Sequence, residues 1–541
     1  MLMKRKAIMV AAFAIGLLTL AALPSFAARS QSATASVAAP ADPAAALDAM
    51  AQQKFGASLS AAERKLLHSA PLRDVPWFGP NDDPDNVAND PAHGEGWGAE
   101  RTVRADFIEW LVSDPRPAQF IHPSGLALAG ARITGNLDLS YATVGKPLTL
   151  IRCYIPDGIN LLSAHLTEIT VRHSRTGAIF GNMAVIHGDA TFIFGDYGPV
   201  SLMRARIDGT LDFTGSQILD PGDDAVNLVE ANVGGDVLFH DGFTTDGIVY
   251  ARLAKIGHDL SFHGAEFRGD GELDAERAVI DGTFYWVDVK HTPQTVLDLE
   301  DARAGAIWDD EASWPAPGNL VINGFVYGDI AGGPSDGPSR LRWLALQSSD
   351  YRPQTFRQLA TALSEMGREE GVIQVRMAKE IAQRRFGHES ILQRAWSLML
   401  QYTIGFGYMP LRALWWIAGF VGLGTILFAW GYRARIIAPT EEAAYREFVA
   451  GGEPPPHYPV FNSFVYSLEN FLPVVELHQD KYWRPNPRHR VAGRATRDGQ
   501  PRDPSSLPGR LLRCYLWLHI LAGWMITPLL FAGLSGLVRP D

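Results

Sequence analysis

Cysteine is almost missing from these 541 residues: there are two, Cys153 and Cys514. A cysteine-built zinc site needs more ligands than that. One thiol falls among central repeats and the other in an apolar run near the C-terminus, which argues against a disulfide. No strand leads into a Gly-x-Gly-x-x-Gly dinucleotide fingerprint, and no cofactor is expected. Positive charge is scarce in the middle of the chain. Residues 120–330 hold 29 Asp/Glu against 13 Lys/Arg, a balance of −16, while the whole chain carries −11 and the remainder is therefore slightly positive. So acidic a stretch repels polyanions, which excludes nucleic acid as its partner.

What is present first is an export pattern. Lys4, Arg5 and Lys6 precede the apolar run Ala7–Leu23, and Ser25-Phe26-Ala27 supplies small residues for a signal peptidase, so residues 1–27 read as a signal peptide. The run is long for a signal, and an uncleaved anchor stays open. Residues 28–118 follow as an Ala/Ser/Pro-rich linker and a helical cap. There Ser60 and Glu63 have capping-box spacing, and Val103, Phe107, Trp110 and Leu111 share a helical face.

Residues 119–332 carry an internal repeat. A nine-residue phrase opens on Ala and places apolar residues at its third, seventh and ninth positions. Copies run over Ala131–Leu139, Ala142–Leu150, Ala184–Phe192, Ala205–Phe213, Ala231–Phe239, Ala254–Phe262 and Ala278–Trp286, with degenerate copies opening at Ala164 and Ala302. From Ala142 the openings step by 22, 20, 21, 26, 23, 24 and 24 residues, the length of one β-helix coil. Alternation sends apolar side chains inward, and one coil cannot bury its own apolar face, so coils stack. An antiparallel sandwich explains the alternation but not the recurrence. Phe262-His-Gly-Ala-Glu-Phe267 and Leu137-Asp-Leu-Ser-Tyr-Ala-Thr-Val144 also carry a five-residue pattern. By it, residues 124–330 resemble pentapeptide-repeat proteins, which implies a right-handed, four-sided parallel β-helix; a looser right-handed β-helix fits the same residues. The fold class expected is mainly β, a solenoid flanked by helical regions, with two C-terminal transmembrane helices.

Residues 339–400 switch to helical spacing, with one helix ending near Gly367 and a second over Glu369–Arg385. Together with Gly405–Leu414, this hairpin resembles a bacterial family of membrane proteins bearing pentapeptide-like solenoids; the resemblance implies an envelope location and no particular activity. Residues 411–432 and 511–538 are apolar runs of bilayer length. Trp415, Trp416, Trp430 and Tyr432 bound the first, Tyr515 and Trp517 stand near the start of the second, and Pro528 is expected to kink it. A cleaved signal places the solenoid outside the cytoplasm. The loop 433–510 carries Arg433, Arg435, Arg488, Arg490, Arg494, Arg497 and Arg510, with Arg513 just beyond its end, which suits the cytoplasm. Both arguments give a bacterial inner-membrane protein with its β-helix on the periplasmic side.

Candidate sites are few. Within the loop, residues 459–477 put Phe461, Phe464, Val465, Leu468 and Leu472 at helical spacing, an interfacial helix that rests on the membrane or re-enters it. Two spans around a re-entrant segment resemble a simple channel pore in outline, although no Thr-Val-Gly-Tyr-Gly-like filter is present. Glu476, His478 and Asp480 alternate, so an extended backbone would aim all three one way, toward a divalent metal; solvated polar residues are the plainer reading, and no metal site is assigned. His519, inside the second run, is either functional or hydrogen-bonded to a neighbouring helix while neutral. In the solenoid, Gly222-Asp223-Asp224 and Gly257-His258-Asp259 resemble parts of polygalacturonases, a likeness that implies paired carboxylates acting on a glycosidic bond. Ordinary corner turns use the same residues, and the acidic surface repels a pectic substrate. Asp309, Asp310 and Glu311, between Trp308 and Trp314, form a further acidic group. The function expected is a membrane-anchored binding or scaffolding module that meets membrane lipid and an envelope protein partner, with homo-oligomerisation open. A channel or transport component and a carbohydrate-active β-helix enzyme are the alternatives.

Overall fold

A computed structural model describes residues 42–56, 58–83, 86–219, 224–347, 351–386, 390–450, 452–486 and 507–537. The signal segment, most of the linker, Asp223, Arg488, Arg490, Arg494 and Arg497 lie outside the described residues.

The repeat phrase folds as a corner followed by two short strands. The residue before each opening Ala from Ala142 onward is left-handed: Tyr141, Ser163, Met183, Arg204, Glu230, Leu253, Arg277 and Asp301 all have φ between 53 and 60°. A side chain in that region costs about 1–2 kcal/mol. The cost is offset by stacking: the Ser163 N–H donates to the Asn182 carbonyl of the next coil, Met183 to Met203, and Arg204 to Val229. Side chains two residues earlier brace the corner, with Asn160, Asp274 and Asp298 accepting from the N–H of Leu162, Glu276 and Glu300. The Ala that follows turns inward and, from Ala164 onward, is buried.

Stacked coils align their strands in four parallel files over about nine turns, a rod roughly 40 Å long at ordinary strand spacing. One file runs through the third position of the phrase: Val144, Leu166, Ile186, Ile207, Val233, Ile256 and Ile280. Its neighbour takes the seventh and ninth positions. There Phe192, Phe213, Phe239, Phe262 and Trp286 form a ladder with ring centroids 5.6, 5.1, 4.8 and 5.5 Å apart. The Ala164 copy reads as degenerate because it is one residue short: Ile169, not Thr170, pairs with Leu148.

The expected alignment of Ile133 with Ile207, Val233 and Ile256 needs correction. Those three share a file, whereas Ile133 lies in a different sheet, in the file of Val103, Ile155, Thr176, Tyr197 and Ile218. The phrase encodes only alternation around a corner, and the coil has several corners. The fourth file holds Leu137, Ile159, Ile179, Val200, Val226, Val249, Leu273, Leu297 and Leu320.

Both ends of the solenoid are covered, which hides the edge strands from pairing with another sheet. At the first coil stand the helices Pro43–Phe55, Ala61–Ser69 and Ala105–Ser113. Thr102–Arg104, expected to be helical, is a strand paired with Arg132–Thr134. Val103 belongs to the solenoid core, and the helix starts only at Ala105. At the last coil stand Gly337–Leu344 and Pro353–Glu365, where the side-chain amides of Gln354 and Gln358 donate to the carbonyls of Phe325 and Tyr327. Glu369–Phe386 completes the hairpin after Gly367, and Ile391–Ile404 leads on to the C-terminal module. Two helices there, Arg412–Arg433 and Leu507–Leu534, are long and apolar enough to cross a membrane.

Candidate functional site between the apolar helices

The expected interfacial helix is shorter than its apolar stripe: it spans Ser463–Phe471, capped by the Asn462 side chain. It lies between the two apolar helices. Three ring pairs trace its path along the first: Phe461 on Tyr432, Tyr466 on Phe428, and Phe471 on Phe420, with centroids 4.8, 5.0 and 5.6 Å apart. Tyr432 to Phe420 is twelve residues, about 18 Å of helix. The inserted helix thus ends near the middle of its neighbours.

Small residues make room for it. A Cβ on Gly424 would fall 2.3 Å from the Ser467 hydroxyl, and one on Gly523 would fall 1.7 Å from the Phe471 carbonyl oxygen. The buried face mixes aromatic and polar residues. Tyr466, Ser467, Glu469 and Phe471 point into the protein, while Phe464 of the predicted stripe is exposed.

His519 sits in this packing, fully buried and ringed by Phe420, Phe428, Phe471 and Tyr515. Its Nε2 is 3.0 Å from the Ser467 carbonyl oxygen, which can only accept, so Nε2 donates; Nδ1 then accepts from the Tyr515 hydroxyl at 3.3 Å. The Ser467 hydroxyl donates to the Val421 carbonyl at 2.8 Å. One histidine therefore ties the inserted helix to the second apolar helix, and Ser467 ties it to the first.

Glu469 escaped the sequence reading. Its carboxylate accepts four backbone N–H groups: Leu477 and His478 on Oε1 at 2.9 and 2.7 Å, Gln479 and Asp480 on Oε2 at 2.8 and 3.3 Å. It holds the returning chain against the inserted helix and satisfies that chain's backbone N–H groups. An acid within an otherwise apolar helix was the available signal.

The same fold bears on Glu476, His478 and Asp480. His478 is left-handed (φ 67°) and Gln479–Tyr482 is a short helix, so the extended backbone expected to align the three does not form. They nonetheless border one open cavity of about 310 Å³, together with Lys481, Ile520 and Trp524. Among the described residues, no group of three His, Cys, Asp or Glu side chains is arranged to hold a metal ion.

The solenoid candidates are not brought together. Asp224 is exposed at the start of a strand in the fourth file and accepts from the Asn227 side chain at 2.9 Å. His258 is exposed in a turn between the first and second files, 4.0 Å from Asp236. Asp309, Asp310 and Glu311 have structural partners: Arg340 for Asp309, the N–H groups of Ala312 and Ser313 for Asp310, and Arg342 for Glu311. Cys153 and Cys514 are both free, the first buried and the second exposed.

No family model, curated protein or solved structure matches the chain. The family resemblances drawn from the sequence therefore gain no support from relatives, and the parallel β-solenoid stands on the geometry alone.

Proposed function

We propose that the chain is a membrane-anchored solenoid that serves as a binding or scaffolding module at the bacterial envelope, with the rod on the periplasmic side and the loop between the apolar helices in the cytoplasm. One observation carries this: both ends of the rod are covered, so the surfaces left free are its long sides, and a run of helices joins its last coil to the apolar pair. Such a rod presents a rigid lateral surface to a partner. The fourth file and its corner gather charge: Glu272, Asp274, Glu276, Asp298, Glu300 and Asp301 stand on two successive coils with Arg277, and Arg252 on the coil before pairs with Asp274. Burial, together with the negative charge of Asp274, raises the carboxyls of Glu272 and Asp298 above the usual range. The partner that fits is an envelope protein with a basic surface.

A pentapeptide-repeat-like coil is part of the same proposal. It is supported by the five-residue grid on which the buried Leu166, Val171, Thr176 and Ile186 fall. Photo-crosslinking groups at Glu276 and Glu300, against controls at Thr149 and Thr170 on the second file, test the binding surface in intact membranes. A discrete product from the acidic side alone supports it; equal labelling from both sides, or none, overturns it.

A further inference from the structure

Irregular backbone does not face hydrocarbon, because its N–H and C=O groups find no partner there; at membrane depth it occurs only inside protein or beside water. Among the described residues, 472–478 meet that rule only in part: the N–H groups of Val475, Leu477 and His478 have partners within the chain, but protein does not enclose the segment. These residues follow directly on Phe471, at the level of Phe420 and Gly523 halfway along the apolar helices, and they are not helical. Val474 is 81% exposed, and Glu476, Leu477 and His478 are exposed beside it. Among the described residues, the two apolar helices and the inserted helix enclose this segment on one side only, leaving the charged cavity of Glu476, Asp480 and Lys481 open at the level of Ile520 and Trp524.

We infer that the open side is covered by the same segment of further copies of this chain, closed in a ring around a water-filled path, and that the path carries small cations. The inference rests on the apolar helices crossing the bilayer. A ring of identical subunits turns every open side toward one axis, so that the irregular backbone and the exposed carboxylate meet water and the apolar outer faces meet lipid, without another component. The Glu469 charge is taken up by four backbone N–H groups. Glu476 and Asp480 line the cavity with one lysine, Lys481, so in a ring each copy would contribute a net negative charge, an arrangement that favours cations.

The test uses the full chain purified in mild detergent and then reconstituted in liposomes. Native mass spectrometry should give a closed homo-oligomer. Potassium flux should exceed that of protein-free vesicles, and Glu476→Gln should lower the potassium-to-chloride permeability ratio several-fold while the oligomer is kept. The Glu476 side chain is exposed, so this substitution does not disturb packing. A monomer, a complex with a different membrane protein in place of self-association, absence of flux, or a permeability ratio indifferent to Glu476 each overturns the inference. Release of the chain from membranes by alkaline carbonate would instead remove the membrane-spanning premise. None of these results bears on the face-specific crosslinking of the solenoid.

Discussion

The guanidinium of Arg340 grips both carboxylate oxygens of Asp309, at 2.7 and 2.8 Å, with Arg340 fully buried. Asp309 ends a strand of the solenoid and Arg340 lies in the first helix beyond it, so the pair fastens rod to helices. Trp314 Nε1 donates to the same carboxylate at 3.0 Å, and Arg340 Nε donates to the Pro334 carbonyl at 2.6 Å. Breaking one partner strands the other in the interior, a loss of about 3–5 kcal/mol. Arg340→Leu should therefore lower the unfolding midpoint of the detergent-solubilised chain sharply. Arg340→Leu combined with Asp309→Leu should recover part of the loss, since no charge is then left unpaired. Circular dichroism during denaturation reads both, and a double variant no better than the single one would show that the pair is not the cause.

The aromatic ladder makes a second prediction. Phe239 is fully buried, stacked between Phe213 and Phe262 at 5.1 and 4.8 Å. Phe239→Ala opens a cavity in close-packed surroundings and should cost about 3–5 kcal/mol. Tyr141→Ala, at an exposed corner, should stay within about 0.5 kcal/mol. Comparable losses from both would mean that the ladder contributes no more than the surface.

Much of the rod could be read from the sequence, because a repeated phrase reports both the period and the inward positions. What it could not report was which corner a copy turns, as Ile133 shows, or a missing residue, as at Ala164. The C-terminal module was legible as two apolar runs. The inserted helix was read from its apolar stripe, yet its most buried residues are Tyr466, Ser467, Glu469 and Phe471, while Leu468 and Leu472 of the stripe are half-buried and Phe464 is exposed. Hydropathy alone does not say which polar side chains of a helix meet a neighbouring helix. Glu469 was missed because its partners are backbone groups that follow it by eight to eleven residues.

Asp298 yields a prediction with a definite sign. Burial and its neighbour Asp274 raise its carboxyl above the usual value, against the N–H bond from Glu300 that lowers it. The folded state thus holds this proton more tightly than the unfolded chain does. The associated stability is fully present below the unfolded pKa and is lost as pH rises through the folded one. Asp298→Asn keeps an acceptor for the Glu300 N–H and removes the charge. It should raise stability at pH 7 by at most about 1 kcal/mol, and the gain should vanish near pH 3, where the carboxyl is protonated in both states. Thermal melts at the two pH values measure it, and an equal gain at both would rule out the charge.

The inserted helix depends on one absent side chain. A Cβ at Gly523 would fall 1.7 Å from the Phe471 carbonyl oxygen, a backbone atom that no rotamer change can move aside. Gly419, on the other apolar helix, has nothing within 4 Å of its Cβ position. Helix propensity alone favours alanine over glycine by about 1 kcal/mol at either site. Gly419→Ala should therefore be neutral or slightly stabilising, whereas Gly523→Ala should push the inserted helix out and strip Ser467 and His519 of their interhelical bonds. Protease sensitivity across residues 459–477, together with the melting temperature in detergent, should separate the two variants. If Gly523→Ala melts and resists cleavage as the parent does, then close approach at Gly523 is not what seats the helix, and the position of Glu469 must be maintained by the four N–H groups around it.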